Sequence, residues 1–420
     1  MACDVCGAIL CGRFLLVRCT GVALREGKSM KKSLVALAMG PFALGFSEFV
    51  MMGVLALVAA DLGVSIPDAG SFISAYALGV CVGTLILVFG RRVPPRTLLM
   101  GLILLCAVGN ALAAIAPSPS MLVLGRFVSG LPHGAFFGTA TLAAKMLADP
   151  GKEGQAVSSM VLGQTIANTI GVPGGTLIAG LISWRAVFAF AAVWAVVSVA
   201  AILRFIPRLD PIPDAGLAGQ FSFLKKPAPW LIIGGVLLGN TGIFCWWSYV
   251  SPWLTSIGGF PEATIPACLV LAGLGMVVGS QLGGRLGDRT SPGVISVAGQ
   301  GIAGATLLLI ALLTGSPVIA AALMFLCAFG MFFVSSPQQI LMIEVGQGGG
   351  ELLAGACVQV AFNGGNALGA VVGQTVLNTG AAYNWVGLAG MPFSIMAAVL
   401  LAVFTIRFER QYHLEATARA

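Results

Sequence analysis

Charge is scarce in this chain of 420 residues. Only 9% of its residues are Asp, Glu, Lys or Arg, while 58% are hydrophobic. Soluble domains run near about 25% charged, and a surface this poor in charge would not stay wetted. Histidine is nearly absent, at His133 and His413. No spacing of His, Cys, Asp and Glu forms a metal-ligand set, so no metal and no cofactor is expected. No nucleophile motif stands out, and no enzymatic activity is expected. A nucleotide-driven engine is missing too: Gly21 to Ser29 ends in Gly-Lys-Ser, with one residue too many between its glycines for a phosphate-binding loop. The net charge of +7 does not point to nucleic acid, because the basic residues form short clusters between apolar runs without a basic–aromatic stripe. Cys81, Cys106, Cys245, Cys268, Cys327 and Cys357 fall inside apolar runs, where cysteine is a small hydrophobe rather than half of a disulfide.

What is present is a succession of long apolar runs. A helix needs roughly 20 apolar residues to cross the hydrocarbon, and lipid offers the backbone no other hydrogen-bond partner. The runs predict spans at 33–59, 69–90, 97–116, 120–146, 155–181, 185–206, 229–257, 262–284, 293–314, 317–345, 351–379 and 383–407. With the N-terminus inside, Arg91, Arg92, Arg96, Lys145, Lys152, Arg204, Arg208, Lys225, Lys226, Arg285 and Arg289 fall in cytoplasmic loops. Arg407, Arg410 and Arg419 fall in the tail. The opposite loops carry Asp61, Asp68 and Glu262, with Arg185 as their one basic residue. That asymmetry predicts both termini in the cytoplasm; the loop holding Glu344 and Glu351, which has no basic residue, is its weak point. Trp184, Trp230, Trp253 and Trp385 lie near span ends, where interfacial anchors are expected.

The segment from Arg204 to Pro229 breaks the pattern with Pro207, Pro211, Pro213, Pro227 and Pro229. It predicts a cytoplasmic linker, 207–228, between six-helix bundles at 30–206 and 229–407, with a cytoplasmic tail at 408–420. Gln220 to Leu224 is expected along the membrane surface. A short repeat supports the halving: LGVCVG at Leu78–Gly83 returns as LGMVVG at Leu274–Gly279, each in the second helix of its half. Parallel duplication of a six-helix unit is a recurring transporter architecture. Residues 1–29 fit poorly. They hold Cys3, Cys6, Cys11 and Cys19 but lack the second pair of a zinc site, and they are expected to be a non-native or disordered extension before a natural start at Met30.

Against the apolar background two charges lie deep. Glu48 is near the middle of the first span, and Arg126 is the one basic residue well inside a span, the fourth. A charge at a helix centre costs about 2.5–3.5 kcal/mol on insertion scales, so such residues mark pathways by default. A rise of about 1.5 Å per residue puts both at similar depth. They are expected to pair or to share a water-filled cavity, and His133 lies seven residues after Arg126 on nearly the same face. Glu48, Arg126 and His133 are therefore the candidates for proton coupling. The plainer alternative is an ion pair that fixes packing, with His133 a neutral hydrogen-bonding residue.

The second half has no deep charge. Asn240, Gln338, Gln339, Gln359, Asn363 and Asn366, with Trp246, Trp247 and Tyr249, are the candidates for substrate binding. Amides among apolar walls suit an uncharged hydroxyl-rich or amphipathic ligand; the alternative is amides bonding neighbouring helices and tryptophans facing lipid. Glycines spaced at four, Gly79 and Gly83, Gly275, Gly279 and Gly283, Gly369 and Gly373, let helices approach closely. In the fifth span Gly171, Pro173, Gly174 and Gly175 form a hinge candidate, since proline kinks a helix. Without an ATPase, the energy source is expected to be a gradient: one charge crossing 100 mV gains about 2.3 kcal/mol.

GRFVSGLPHG at Gly125–Gly134, the stretch Gly163–Gly175 and GGRLGDR at Gly283–Arg289 resemble the motifs of the major facilitator superfamily and of its drug/proton antiporter branch. MKKSLVALAMG from Met30, VSGLPHGAFFG from Val128, APWLI from Ala228 and AFNGGNALGA from Ala361 narrow the resemblance to arabinose-type sugar-efflux permeases. It covers the chain from about residue 30 to the end. It implies an all-α membrane protein of twelve helices in two pseudo-symmetric six-helix bundles, working as a monomer in the bacterial inner membrane. It implies secondary active transport by alternating access: proton-coupled efflux of a sugar or small neutral solute, with multidrug or nucleoside efflux, or an uncoupled facilitator, as alternatives. Its partners would be that solute, protons and the lipid bilayer, with no nucleic acid. The resemblance makes Arg126 the family's fourth-helix arginine and gives Asp288 and Arg289 a gating role. The first-half copy of the loop motif, FGRRVPPR at Phe89–Arg96, lacks the usual aspartate.

Overall fold

A computed structural model describes residues 4–90, 93–149, 153–209, 221–313, 315–347, 350–412 and 414. Side chains are described from Lys32 onward, apart from 88–89, 153–155, 158, 288 and 351–352. Among the described residues there is no strand.

The membrane helices run in chain order. The first is α1 (Asp4–Leu62), whose apolar crossing is Lys32–Leu62. The second is α2 (Ile66–Gly83) with the short α3 (Leu85–Gly90), and the third is α4 (Pro95–Ala114). The fourth is broken into α5 (Pro119–Gly130) and α6 (Pro132–Leu147). The fifth is broken into α7 (Glu153–Ile166), a π turn (Ala167–Gly171) and α8 (Val172–Leu181), and the sixth is α9 (Trp184–Phe205). The seventh is α10 (Pro227–Trp247) with α11 (Val250–Ser256), the eighth α12 (Ile265–Arg289), and the ninth α13 (Pro292–Leu312). The tenth is α14 (Pro317–Phe333) with α15 (Ser335–Val345), the eleventh α16 (Glu351–Asn378) and the twelfth α17 (Tyr383–Phe404).

Among the described residues, nine helices are long and apolar enough to cross a membrane. The fourth, fifth and eleventh stand apart for a reason. The fourth and fifth are cut in two, and the eleventh carries Gln359, Asn363, Asn366, Gln374 and Asn378. Helix starts follow local chemistry: the hydroxyls of Ser65, Ser118 and Ser291 accept from the N–H groups of Asp68, Met121 and Val294, with proline in the first turn, where its missing N–H costs nothing.

The short sequence repeat is a repeated helix crossing. A Cβ on Gly79 or Gly83 would strike the carbonyls of Phe127 and Leu131 in the fourth helix. A Cβ on Gly275 or Gly279 would strike those of Phe325 and Phe329 in the tenth. In both halves, glycines four apart on the second helix of the half seat carbonyls four apart on its fourth helix. Lipid tails are as apolar as the side chains, so close backbone contact of this kind drives association.

Packing differs between the two ends of the bundle. At the end bearing Asp61, Asp68 and Glu262, one continuous core joins both halves, from Phe46, Val50 and Phe72 to Trp246, Leu269 and Met331. Cross-half bonds close that end: the Tyr249 hydroxyl to the Pro67 carbonyl at 3.2 Å, and Gln374 Nε2 to Asp68 Oδ1 at 2.9 Å. At the end bearing the basic loops the core divides. One cluster lies in the first half around Leu99, Phe136 and Ile202, with Ala356 of the second half joining it. The other lies in the second half around Ile232, Leu341 and Phe404. The halves are therefore sealed at one end and partly separated at the other.

Two expectations need correction. Trp184 and Trp253 are buried rather than interfacial. Trp184 donates to Asp61 Oδ2 at 3.1 Å under the Arg185 guanidinium, and Trp253 packs edge-on against Trp246 at 5.0 Å. Trp230 and Trp385 are exposed, as anchors should be. The linker residues 210–220 lie outside the described residues, as do the side chains of the N-terminal stretch 1–29. Within the expected linker, Phe223 of the short turn Ser222–Lys225 is buried in the second-half core.

Overpacking a tight crossing costs about 1–3 kcal/mol. Gly83→Leu and Gly279→Leu are each expected to lower the Tm in detergent and the yield of folded protein. Gly101→Leu, where a Cβ meets open space, should change neither; equal Tm for all three would refute the crossing.

Candidate transport site

Glu48 and Arg126 both face protein. Their exposures are 3% and 0%, and His133 is equally buried. The two charges do not pair side chain to side chain. The Arg126 guanidinium donates to three backbone carbonyls: Ser47 at 2.5 Å, Glu48 at 3.4 Å and Phe72 at 3.3 Å. It also lies over the Tyr76 ring, 4.5 Å from the centroid, a cation–π contact. One guanidinium thus ties the fourth helix to the first and second, which its five donors in a rigid fork allow.

The Glu48 carboxylate reaches other groups. Oε1 accepts from Asn366 Nδ2 at 3.1 Å, a bond from the first half to the second. Oε2 is buried without a hydrogen-bond partner and lies 3.8 Å from His133 Nδ1. That nitrogen is 2.9 Å from the Tyr76 hydroxyl, which also reaches the Leu44 carbonyl at 3.1 Å. Glu48, His133 and Tyr76 therefore form a short row of exchangeable groups. Arg126 and His133 do not share one continuous helix, because the fourth helix breaks at Leu131–Pro132 between them. Proline cannot supply the N–H that would continue the ladder.

The expected binding residues divide. Asn240, Gln338, Gln339 and Gln359 line one cavity, together with Gln164, Ser335, Val236, Met331, Phe332, Val334, Val358 and Phe362. It offers water-sized spheres about 60 Å³, room for more than a single water. It lies between the fifth, seventh, tenth and eleventh helices, toward the basic-loop end where the two cores part. Trp247 lines a second, smaller gap with Phe49, Met52, Asn168, Val172, Leu269, Ala272 and Met276. Asn366 is Glu48's partner instead of a cavity residue, and Asn363 back-bonds to the Gln359 carbonyl at 3.1 Å. Trp246 is packed against Trp247 and Trp253 in the core. Tyr249 bonds the Pro67 and Ala370 carbonyls at the sealed end. Neither Glu48 nor Arg126 lines either of these two cavities.

The hinge candidate adjoins the π turn and shares Gly171 with it. Gly171 and Gly175 press on Phe42, Phe46 and Val50 of the first helix, and Gly174 meets nothing within 4 Å. Pro173 enters in the first turn of α8. A π turn marks a register change in the hydrogen-bond ladder and is frequent at functional sites. Arg289 is exposed at the end of the eighth helix, and the Asp288 side chain lies outside the described residues.

Three contributors escaped the sequence reading. Tyr76 and Ser335 are ordinary hydroxyls in apolar runs, and Gln164 sits inside the hinge-bearing stretch. Only spatial neighbours reveal them.

Sequence comparison agrees with this architecture. The Major Facilitator Superfamily profile matches residues 37–349. The chain belongs to the major facilitator superfamily. AraJ of Escherichia coli (strain K12), whose name assigns it to transport provisionally, is 42% identical over 375 residues, covering 89% of this chain and 95% of AraJ. The inner membrane transport protein YdhP of the same organism is 34% identical over 378 residues, covering 88% and 94%. A chloramphenicol resistance protein of Streptomyces lividans is 32% identical over 361 residues, covering 83% and 90%. This member of the superfamily is a multi-pass membrane transporter of small molecules, not an enzyme.

Replacing Arg126 by lysine keeps the charge but cannot reach three carbonyls on two helices. Each hydrogen bond from a charged group is worth about 1.5–3 kcal/mol. Arg126→Lys is therefore expected to lose at least about that much stability in a detergent thermal-unfolding assay, and an unchanged Tm would show that the carbonyl contacts do not hold the helices.

Proposed function

We propose that the chain is a proton-coupled exporter of a neutral, hydroxyl-bearing small molecule. It works by alternating access, as a monomer, in the bacterial inner membrane with both termini in the cytoplasm. The observation that carries this reading is the Glu48 carboxyl, buried where the halves meet and bonded to Asn366 of the opposite half at 3.1 Å. A carboxylate only accepts hydrogen bonds, whereas the acid form also donates. Protonation thus changes what Glu48 offers to the other half on one oxygen and to His133 on the other. Tyr76 continues the row. Arg126 holds the first helix in register by its carbonyls while that exchange occurs.

The basic loops support a cytoplasmic location for the end at which the cores part. The amide-lined cavity then faces the cell interior, ready to take up solute for export. Among its lining residues there is no ionisable side chain; four amides from the second half, Gln164 and Ser335 suit hydroxyls. Met331, Phe332, Val358 and Phe362 favour a second reading, an amphipathic drug-like solute, in keeping with the chloramphenicol resistance protein among the relatives. The π turn and Gly171–Gly175 would serve as the pivot, and Asp288 with Arg289 as the gate.

Two outcomes test this. In proteoliposomes loaded with L-arabinose or chloramphenicol, an imposed pH gradient should drive accumulation against the solute gradient. Glu48→Gln should abolish accumulation while leaving equilibration measurable; unimpaired accumulation in that variant would remove Glu48 from the coupling, and wild-type transport that never exceeds equilibration would make the protein a facilitator. Asn366→Leu keeps the carboxyl and removes its cross-half partner. It should lower the number of protons moved per solute by at least about twofold, and an unchanged ratio would show that the bond is only packing.

A further inference from the structure

We infer that Asn168 and Trp247 form a second solute-binding subsite, on the far side of an aromatic partition from the amide-lined cavity. The inference rests on the transport reading above and adds a site to it.

Four phenylalanines separate the two spaces. Phe332 and Phe362 line the amide cavity, and Phe49 lines the smaller gap. Phe49 stands 6.4 Å from Phe332 and 6.2 Å from Phe244, which in turn stands 5.9 Å from Phe362. Gln164 and Asn168 are one helical turn apart on the fifth helix. The first faces the amide cavity and the second the gap, so one helix face runs past the partition.

The gap holds two polar groups with no partner. Asn168 is 4% exposed and neither its amide oxygen nor its nitrogen is hydrogen-bonded. Trp247 is 2% exposed and its indole N–H is also unbonded. A buried polar group left without a partner costs about 1–3 kcal/mol, and here two lie on opposite halves of one gap. Asn168 can accept and donate, and the indole can only donate. That set fits a hydroxyl that donates to the amide oxygen while accepting from the indole. Phe49, Met52, Leu269 and Met276 would enclose an apolar body, the thioethers adapting to its shape. Among the lining residues there is no ionisable group, so the ligand class is a neutral, hydroxylated amphiphile.

In this conformation the gap has about 10 Å³ for water-sized spheres, room for one water at most. It lies inside the core that seals the two halves. The subsite therefore fills as that end opens, and it receives solute once the phenylalanines separate. Asn168 is placed for this: the π turn begins beside it at Ala167, and the next residue, Thr169, packs its backbone on Gly273 of the opposite half at 2.6 Å from a built Cβ.

The test uses L-arabinose and chloramphenicol as probes, with membrane vesicles of both orientations. Asn168→Leu and Trp247→Phe should each raise the half-saturating probe concentration at the face bearing Asp61 and Asp68 by at least about tenfold, the factor expected from about 1.4 kcal/mol. At the basic-loop face they should change it less than about twofold. Asn168→Leu should also hold or raise the Tm, because it removes an unpartnered amide from an apolar setting. Trp247→Phe keeps an aromatic ring while removing the indole N–H, and guards against a folding artefact. Unchanged values at both faces, or equal shifts at both, would overturn the subsite: the amide and indole would then be holding a water or packing only. Gln338→Ala reports separately on the transport reading. It should weaken the basic-loop face alone, and its failure to do so would remove the amide cavity from the path whatever the first two variants show. Wild-type vesicles that carry neither probe would overturn the ligand class.

Discussion

Burying a charge without a partner is among the most expensive things a protein interior can do, and the first half of this bundle is arranged around two of them. Arg126 is satisfied by the backbone of two neighbouring helices, Glu48 on one oxygen only, by an amide that belongs to the other half. The consequences differ. Carbonyls are always present, so the guanidinium is a permanent clamp. Asn366 is present only while the halves meet, so the carboxyl's solvation depends on conformation. In the proposed coupling, a group whose environment depends on conformation, and whose charge depends on a proton, would link the two.

Around that pair the helices are specialised. Glu48 sits on the continuous first helix, whereas the fourth helix is interrupted at Pro132 and the fifth at its π turn, and the eleventh carries a ladder of amides. The interruptions are tolerated because neighbouring protein replaces the bonds that lipid cannot supply. Glycine crossings set the second helix on the fourth, and the eighth on the tenth, with the same spacing of contacts. Each half is therefore stiffened separately, which leaves relative motion to the surface between them.

Much of this was legible in the sequence. Nine of the twelve spans follow from length and hydrophobicity, and the repeat at Leu78 and Leu274 marks the same crossing twice. Glu48 and Arg126 were conspicuous because charge in an apolar run is rare. Their partners were not legible. Similar depth in the membrane suggested a carboxylate–guanidinium pair or a shared cavity, yet the fork found carbonyls, and Asn366 looked like one cavity amide among several. Trp184 and Trp253 sit near span ends, where an anchor and a core residue have identical sequence signatures. Trp246 and Tyr249 were expected in a binding site because aromatic clusters suit one, but a folded core uses them equally well. Tyr76 and Gln164 carry no signal at all outside three dimensions.

The single core that seals one end of the bundle has a thermal consequence. Opening that end must wet apolar surface that the other end, with its divided cores, does not hide. Newly wetted apolar surface raises heat capacity, so in the proposed alternating-access cycle the exchange between the two open forms would follow a curved rather than straight temperature law. The slower, more strongly curved step would be the one that exposes Phe46, Val50 and Leu269. An oily passenger that keeps those side chains dry would speed its own release.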